Sequence, residues 1–168
     1  MINNTINVFF VVEKIGPYHN ARFNYLSKHS NFKINIIETN SDSKRYPWNE
    51  KYNISYQNYK LQNNSGIKKS RNNKFLSKEI NKNLFDKKPS IILITGWYSQ
   101  THHYIIYKSF FERIPLVIIS DSRFKDYKRN SFQELVKKLL LKGFSSAIVA
   151  GKESKDYLIK LNFNKKNI

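Results

Sequence analysis

Four short polar segments hold the side chains best suited to chemistry: Glu13–His19, Gly96–His103, Asp121–Arg129 and Gly151–Lys155. His19 follows Gly16-Pro17-Tyr18 and offers an imidazole that can contact a ligand or exchange a proton near neutral pH. A half-buried histidine at a helix start fits the same position. Trp97-Tyr98, after Gly96, offer flat faces for a sugar or base, or a wall over the core. His102-His103 are adjacent, so on a helix they point to different faces, and no nearby carboxylate or third histidine completes a metal set. No metal site is expected; a polar pair with one member facing a cleft is. Asp121 closes an apolar run. A carboxylate there serves a ligand, or braces its loop through Arg123 or Arg129. Asp126 and Arg129, three apart, fit a local ion pair.

The elements that would position these residues follow from periodicity. Ile6–Val12 and Phe32–Ile37 are short, continuous, β-branched runs of the kind buried on both faces of a parallel sheet. Between them, a helix is expected over His19–Lys28, with Phe23 and Leu26 on one face. Residues 40–71 are polar, with a third strand placed in Tyr52–Tyr59. A helix over Lys74–Phe85 carries Leu76, Ile80 and Leu84 on one face. Ile91–Thr95 is the clearest buried strand, followed by a helix over Ser99–Glu112 and a strand Leu116–Ser120. Ser131 with Glu134 reads as a capping box. The helix it opens aligns Phe132, Leu135, Val136, Leu139 and Leu140 in one apolar stripe, read as core, with Lys137, Lys138 and Lys142 as its solvated face. Gly143 ends it. Ser146–Ala150 is a further strand, and Ser154 begins half a capping box in the last helix. This alternation predicts an α/β domain, a Rossmann-like parallel sheet with helices on both faces. In such sheets ligands bind beyond the carboxyl ends of the strands, which selects the four segments above. Gly16-Pro17 is not the three-glycine dinucleotide fingerprint, and no Walker A sequence occurs.

The 168 residues suffice for one domain with a real core. Hydrophobic residues at 40% and aromatic residues at 15% exclude a disordered chain. The absence of cysteine excludes disulfides and thiolate chemistry, and fits a cytoplasmic protein of a reducing compartment. No apolar run reaches the ~20 residues needed to span a bilayer. Thirty Lys+Arg against 12 Asp+Glu give a formal charge of +18, which attracts polyanions. AT-rich codon usage produces the same surplus of Lys, Asn, Ile, Tyr and Phe. The lysines are scattered, whereas a nucleic-acid binder gathers them on one element. A basic amphipathic helix at Leu135–Lys142 also suits anionic lipid, at the inner face of a plasma membrane.

Ser120-Asp121-Ser122-Arg123, then Asp126, Arg129, Glu134 and Lys137, then Phe144, Ala147-Ile148-Val149, Gly151, Tyr157-Leu158 and Leu161, resemble the acceptor-domain end of family 4 (group 1) glycosyltransferases. Asn162 stands where that pattern has a glycine, and Ile168 matches its closing isoleucine. Gly16-Pro17-Tyr18-His19 with Arg22-Phe23 resembles the family's opening, and Pro89-Ser90-Ile91 with Gly96 its middle element. The likeness is densest over Asp121–Leu161. It implies the N-terminal half of a two-domain GT-B fold: residues 1–168 as one acceptor-side domain, ending before a donor-binding domain. It further implies a nucleoside-diphosphate sugar as substrate, a glycan or lipid-linked acceptor, and neither cofactor nor metal. Asp121 and His19 are the expected catalytic residues. Gly16, Pro17, Gly96, Trp97, Ser122 and Gly151 are expected on the donor side of the cleft, and His103, Arg123 and Arg129 on the acceptor side. The rivals are a non-catalytic basic α/β module that binds nucleic acid or an anionic surface, and another GT-B sugar-nucleotide enzyme such as an epimerase.

Overall fold

The computed structural model describes residues 5–40, 47–48, 51–61, 73–126 and 130–168. The apolar runs become strands β1 (Ile6–Val12), β2 (Phe32–Glu38), β4 (Ile91–Thr95) and β5 (Leu116–Ser120). Two shorter ones are β3 (Gln57–Lys60) and β6 (Ser146–Val149). They form one six-stranded sheet in the order β3-β2-β1-β4-β5-β6. It is parallel and flanked by helices, as the alternation predicts. Five consecutive residues at the end of β1, and five at the end of β2, are buried, because both faces of the sheet are covered. This strand order is that of doubly wound dinucleotide-binding folds.

The chain divides into two compact units, Met1–Ile92 and Leu93–Ile168. The first carries α1 (Pro17–His29) and α2 (Asn73–Asn83). α1 starts two residues earlier than the periodicity suggested. Pro17 takes the first helical position, where its missing N–H costs nothing and its fixed φ suits the helix. α2 stops at Asn83, and Phe85–Lys87 form a separate 3-10 turn. At the amino end of the sheet, Asn7 donates to the Lys87 carbonyl at 2.7 Å and accepts from the buried Asn35 at 2.7 Å.

The second unit carries α3 (Gln100–Phe111), α4 (Ser131–Leu141) and α5 (Lys152–Lys160). Two capping assignments are corrected here. The α4 cap is Asn130, whose side chain accepts from the Phe132 N–H at 2.9 Å. Ser131 lies inside the helix, and Glu134 turns to Lys137 and Tyr157 instead of back to the cap. α5 begins after Gly151, and the Ser154 hydroxyl donates to the Asp121 carbonyl at 3.1 Å.

The orientation of α4 reverses the expected one. Phe132, Leu135, Val136 and Leu139 are 70, 53, 37 and 55% exposed. The helix turns Leu141 and the Glu134–Lys137 pair inward. Lys137 is therefore not on a solvated face. Its Nζ donates to Glu134 at 2.8 Å and to the Tyr157 hydroxyl at 3.0 Å, and that hydroxyl donates to Glu134 at 3.0 Å. The buried Tyr157 presents a polar tip to α4, and a polar tip selects the ion pair over the apolar stripe. Burial pulls the Lys137 pKa down, but the hydrogen bonds to Glu134 and Tyr157 outweigh it and leave a net rise.

α5 ends in a Schellman turn. Phe163 N–H bonds the Leu158 carbonyl at 3.0 Å and Asn162 N–H the Ile159 carbonyl at 2.9 Å, with Asn162 at φ 66°. Asn162 suits this position because its short polar side chain tolerates the left-handed region.

Candidate functional site

In the first unit, the candidate residues sit on the turn from β1 into α1. Gly16 caps α1 in an extended conformation. Its lack of a side chain matters through packing: a Cβ would lie 2.7 Å from the Trp48 ring. Pro17 is exposed and leads the helix. His19 is half-buried in the first turn, its ring stacked on Phe23 at 6.0 Å with an interplanar angle of 12°. Burial, and then the nearby Arg22 charge, hold its pKa below the ordinary 6.5, so the imidazole is neutral at pH 7.

The turn is held by a residue the sequence did not single out. Glu38, at the end of β2, is only 4% exposed. Its carboxylate accepts from the Ile15 N–H at 2.8 Å and from Asn58 Nδ2 at 3.1 Å, with Lys60 Nζ at 3.9 Å. A buried backbone N–H needs a partner, and the carboxylate supplies a strong one. The available signal was one acid directly after the apolar run ending at Ile37. Tyr56 donates to Asn20 of α1 at 3.0 Å, and burial followed by the Glu38 charge pushes its phenol up to about 12.

In the second unit, Gly96 has φ +88°, which favours glycine, and an added Cβ would meet the Tyr98 ring at 3.1 Å. Trp97 is half-buried, and Tyr98 is 60% exposed. Ser99 caps α3 and accepts from the His102 N–H at 3.3 Å. The two histidines do diverge. His102 is buried with Nδ1 2.5 Å from Ser99 Oγ, whereas His103 is exposed and donates from Nε2 to the Trp97 carbonyl at 2.8 Å. Both rings thus brace the loop in which Trp97 and Tyr98 lie.

Asp121, just past β5, is exposed, and its carboxylate has no hydrogen bond or ion pair among the described residues. Ser122 N–H bonds the Ser120 hydroxyl at 3.3 Å. Arg123 donates from its backbone N–H and Nε to Asp126 at 2.6 and 3.0 Å, and its Nη1 lies 3.7 Å from Glu153. Arg123 thus pairs with Asp126, and the expected Asp126–Arg129 pair lies outside the described residues. Gly151 is exposed, with open space where a Cβ would stand. Among the described residues, no group of three or more His, Asp or Glu could hold a metal, and no helix is long and apolar enough to cross a membrane.

No family model and no curated protein matches the sequence. Solved structures do match. UDP-N-acetylglucosamine 2-epimerase from Rickettsia bellii superposes with a TM-score of 0.61 at 13% identity, covering 98% of this chain and 44% of that one. UDP-GlcNAc 2-epimerase from Neisseria meningitidis, bound to UDP-GlcNAc, superposes at 0.57 and 13% identity, covering 96% and 45%. The chain thus spans less than half the length of these structures. They share the GT-B fold with glycosyltransferases, and at this identity the likeness is one of fold: the chain has a Rossmann-like α/β architecture that matches these GT-B-type neighbours.

Proposed function

We propose that this chain is the acceptor-side half of a GT-B-type enzyme that moves a sugar from a nucleoside-diphosphate sugar to a glycan or lipid-linked acceptor. The supporting observation is the fold match along nearly the whole chain to enzymes named for UDP-N-acetylglucosamine. In the first unit, the reading uses the N-terminus of α1, where unpaired backbone N–H groups suit a diphosphate. Gly16 caps that helix beneath the Trp48 ring, and neutral His19 is available to accept a proton. In the second unit, Asp121 contacts the sugar through its unengaged carboxylate, beside Ser122 on the donor side. Gly96, Trp97 and Gly151 shape the same side, and His103 and Arg123 the acceptor side.

The names of the structural neighbours favour a second reading, epimerisation of the nucleotide sugar. Acceptor dependence separates the two. The protein is incubated with UDP-sugars labelled in the sugar, with and without a lipid-linked or glycan acceptor. Transfer releases UDP and labels the acceptor only when the acceptor is present. Epimerisation changes the sugar without one. Failure of any nucleoside-diphosphate sugar to bind, by calorimetry or NMR at millimolar concentration, defeats both and leaves the non-catalytic basic module.

A further inference from the structure

We infer that the outward face of α4 is a contact surface for anionic phospholipid bilayers, a property beyond the sugar chemistry proposed above. Four large apolar side chains, Phe132, Leu135, Val136 and Leu139, project from one face, each more than a third exposed. Single exposed apolar residues need no explanation, but an ordered stripe does. Lys138 and Lys142 follow Leu135 and Leu139 by three residues and form a cationic rim along the stripe. Glu134, the only acid of α4, is turned inward, where Lys137 and Tyr157 hold it. The outward half of the helix is therefore apolar and cationic, with no acid. Long lysine stems can lie along apolar surface while their ammonium groups reach lipid phosphates.

The neighbouring helix continues the pattern. Right-handed crossovers place α3 and α4 on the same side of the sheet, and a Cβ on Gly143, just past α4, would meet Ile106 of α3. α3 exposes Tyr107, Phe110 and Phe111, whose rings pack at 4.5 and 5.6 Å, followed by exposed Arg113. A tyrosine ring suits the membrane–water boundary, and phenylalanine rings its apolar side.

Charge decides the occupant. A second copy would bring another +18 chain to this face and set Lys138 and Lys142 against cationic neighbours. Nucleic acid would match the lysines and leave the four apolar side chains unused. An anionic leaflet satisfies both: the helix, about 16 Å long, lies flat with its stripe in the acyl boundary.

The test is co-sedimentation of the protein with vesicles. Binding is expected to vesicles of phosphatidylcholine containing phosphatidylglycerol, and to be weak with phosphatidylcholine alone. The triple variant Phe132→Gln/Leu135→Gln/Leu139→Gln keeps every charge and should lower partitioning about tenfold or more. Phe132→Gln alone should lower it measurably, and circular dichroism melting checks that both variants fold. Lys138→Ser/Lys142→Ser should weaken binding more than Lys33→Ser/Lys82→Ser, which removes the same charge from other surfaces. Equal partitioning of folded triple variant and wild type would overturn the inference, because binding would then be diffuse attraction. So would a wild-type dimer in the ultracentrifuge that the triple variant breaks and that ignores vesicles.

Discussion

Replacing Tyr157 with phenylalanine removes one oxygen from a three-membered cluster, and its cost can be worked from the distances. The hydroxyl donates to Glu134 at 3.0 Å and accepts from Lys137 at 3.0 Å. Hydrogen bonds to charged groups contribute about 1.5–3 kcal/mol each. Two facts reduce the loss. Glu134 keeps Lys137 at 2.8 Å, and the two side chains remain 17 and 20% exposed, so water can replace part of what is removed. The expected net cost is about 1–2 kcal/mol. Lys137→Met is expected to cost about 1–3 kcal/mol, since Glu134 then loses the ammonium 2.8 Å away. The double variant should cost less than the sum of the two singles by about 1 kcal/mol, because the three groups share partners. Urea unfolding of the four proteins measures all of this; a common slope shows that only stability changed. Additive changes, or a Tyr157→Phe effect within about 0.5 kcal/mol, would show that the cluster does not clasp α4 to α5. If Tyr157→Phe instead abolished sugar chemistry at unchanged stability, Tyr157 would be a site residue and the structural assignment would be wrong.

Three further outcomes are expected. Asp121→Ala should change stability by no more than about 0.5 kcal/mol while sharply lowering sugar turnover, and unchanged turnover would remove Asp121 from the site. Asn162→Ala should destabilise by about 1 kcal/mol in urea, because φ is positive there, whereas Asn162→Gly should be neutral or stabilising. His19 should titrate below 6.5 by NMR. Because its folded pKa is lowered, its contribution to stability is complete above 6.5 and is lost as pH falls through the folded value; His19→Gln should remove that part of the acid slope.

The strands were legible because burial on both faces demands uninterrupted apolar runs, and Ile6–Val12, Ile91–Thr95 and Leu116–Ser120 match their elements residue for residue. Periodicity also located the helices. It did not reveal which face of α4 turns inward, because a stripe of leucines looks the same whether it meets a core or a bilayer. The deciding group, the Tyr157 hydroxyl, is 20 residues away from Lys137 in sequence. Glu38 was missed for a similar reason. Its role is to satisfy the Ile15 N–H, 23 residues earlier, and local pattern does not register a partner across strands. Among the candidate site residues, loop membership followed from the strand ends. The hydrogen bonds of His102, His103 and Arg123 did not, since they depend on loop backbone that only the fold defines.

The structure gives physical work to much of the segment that resembles family 4. Glu134, Lys137 and Tyr157 join two helices, and Asn162 closes the Schellman turn after α5. Arg123 and Asp126 brace the β5–α4 loop. All of these contacts serve the fold, so a protein of the same architecture and different chemistry could keep them all. The Asp121 carboxylate differs in kind. It is exposed and unengaged among the described residues, while the Asp121 backbone carbonyl is pinned by Ser154. The fold fixes where this carboxylate stands and makes no other use of it. A residue positioned in that way is where sugar chemistry should be sought first, and substitution of Asp121 bears more directly on function than substitution anywhere in the Glu134–Tyr157 clasp.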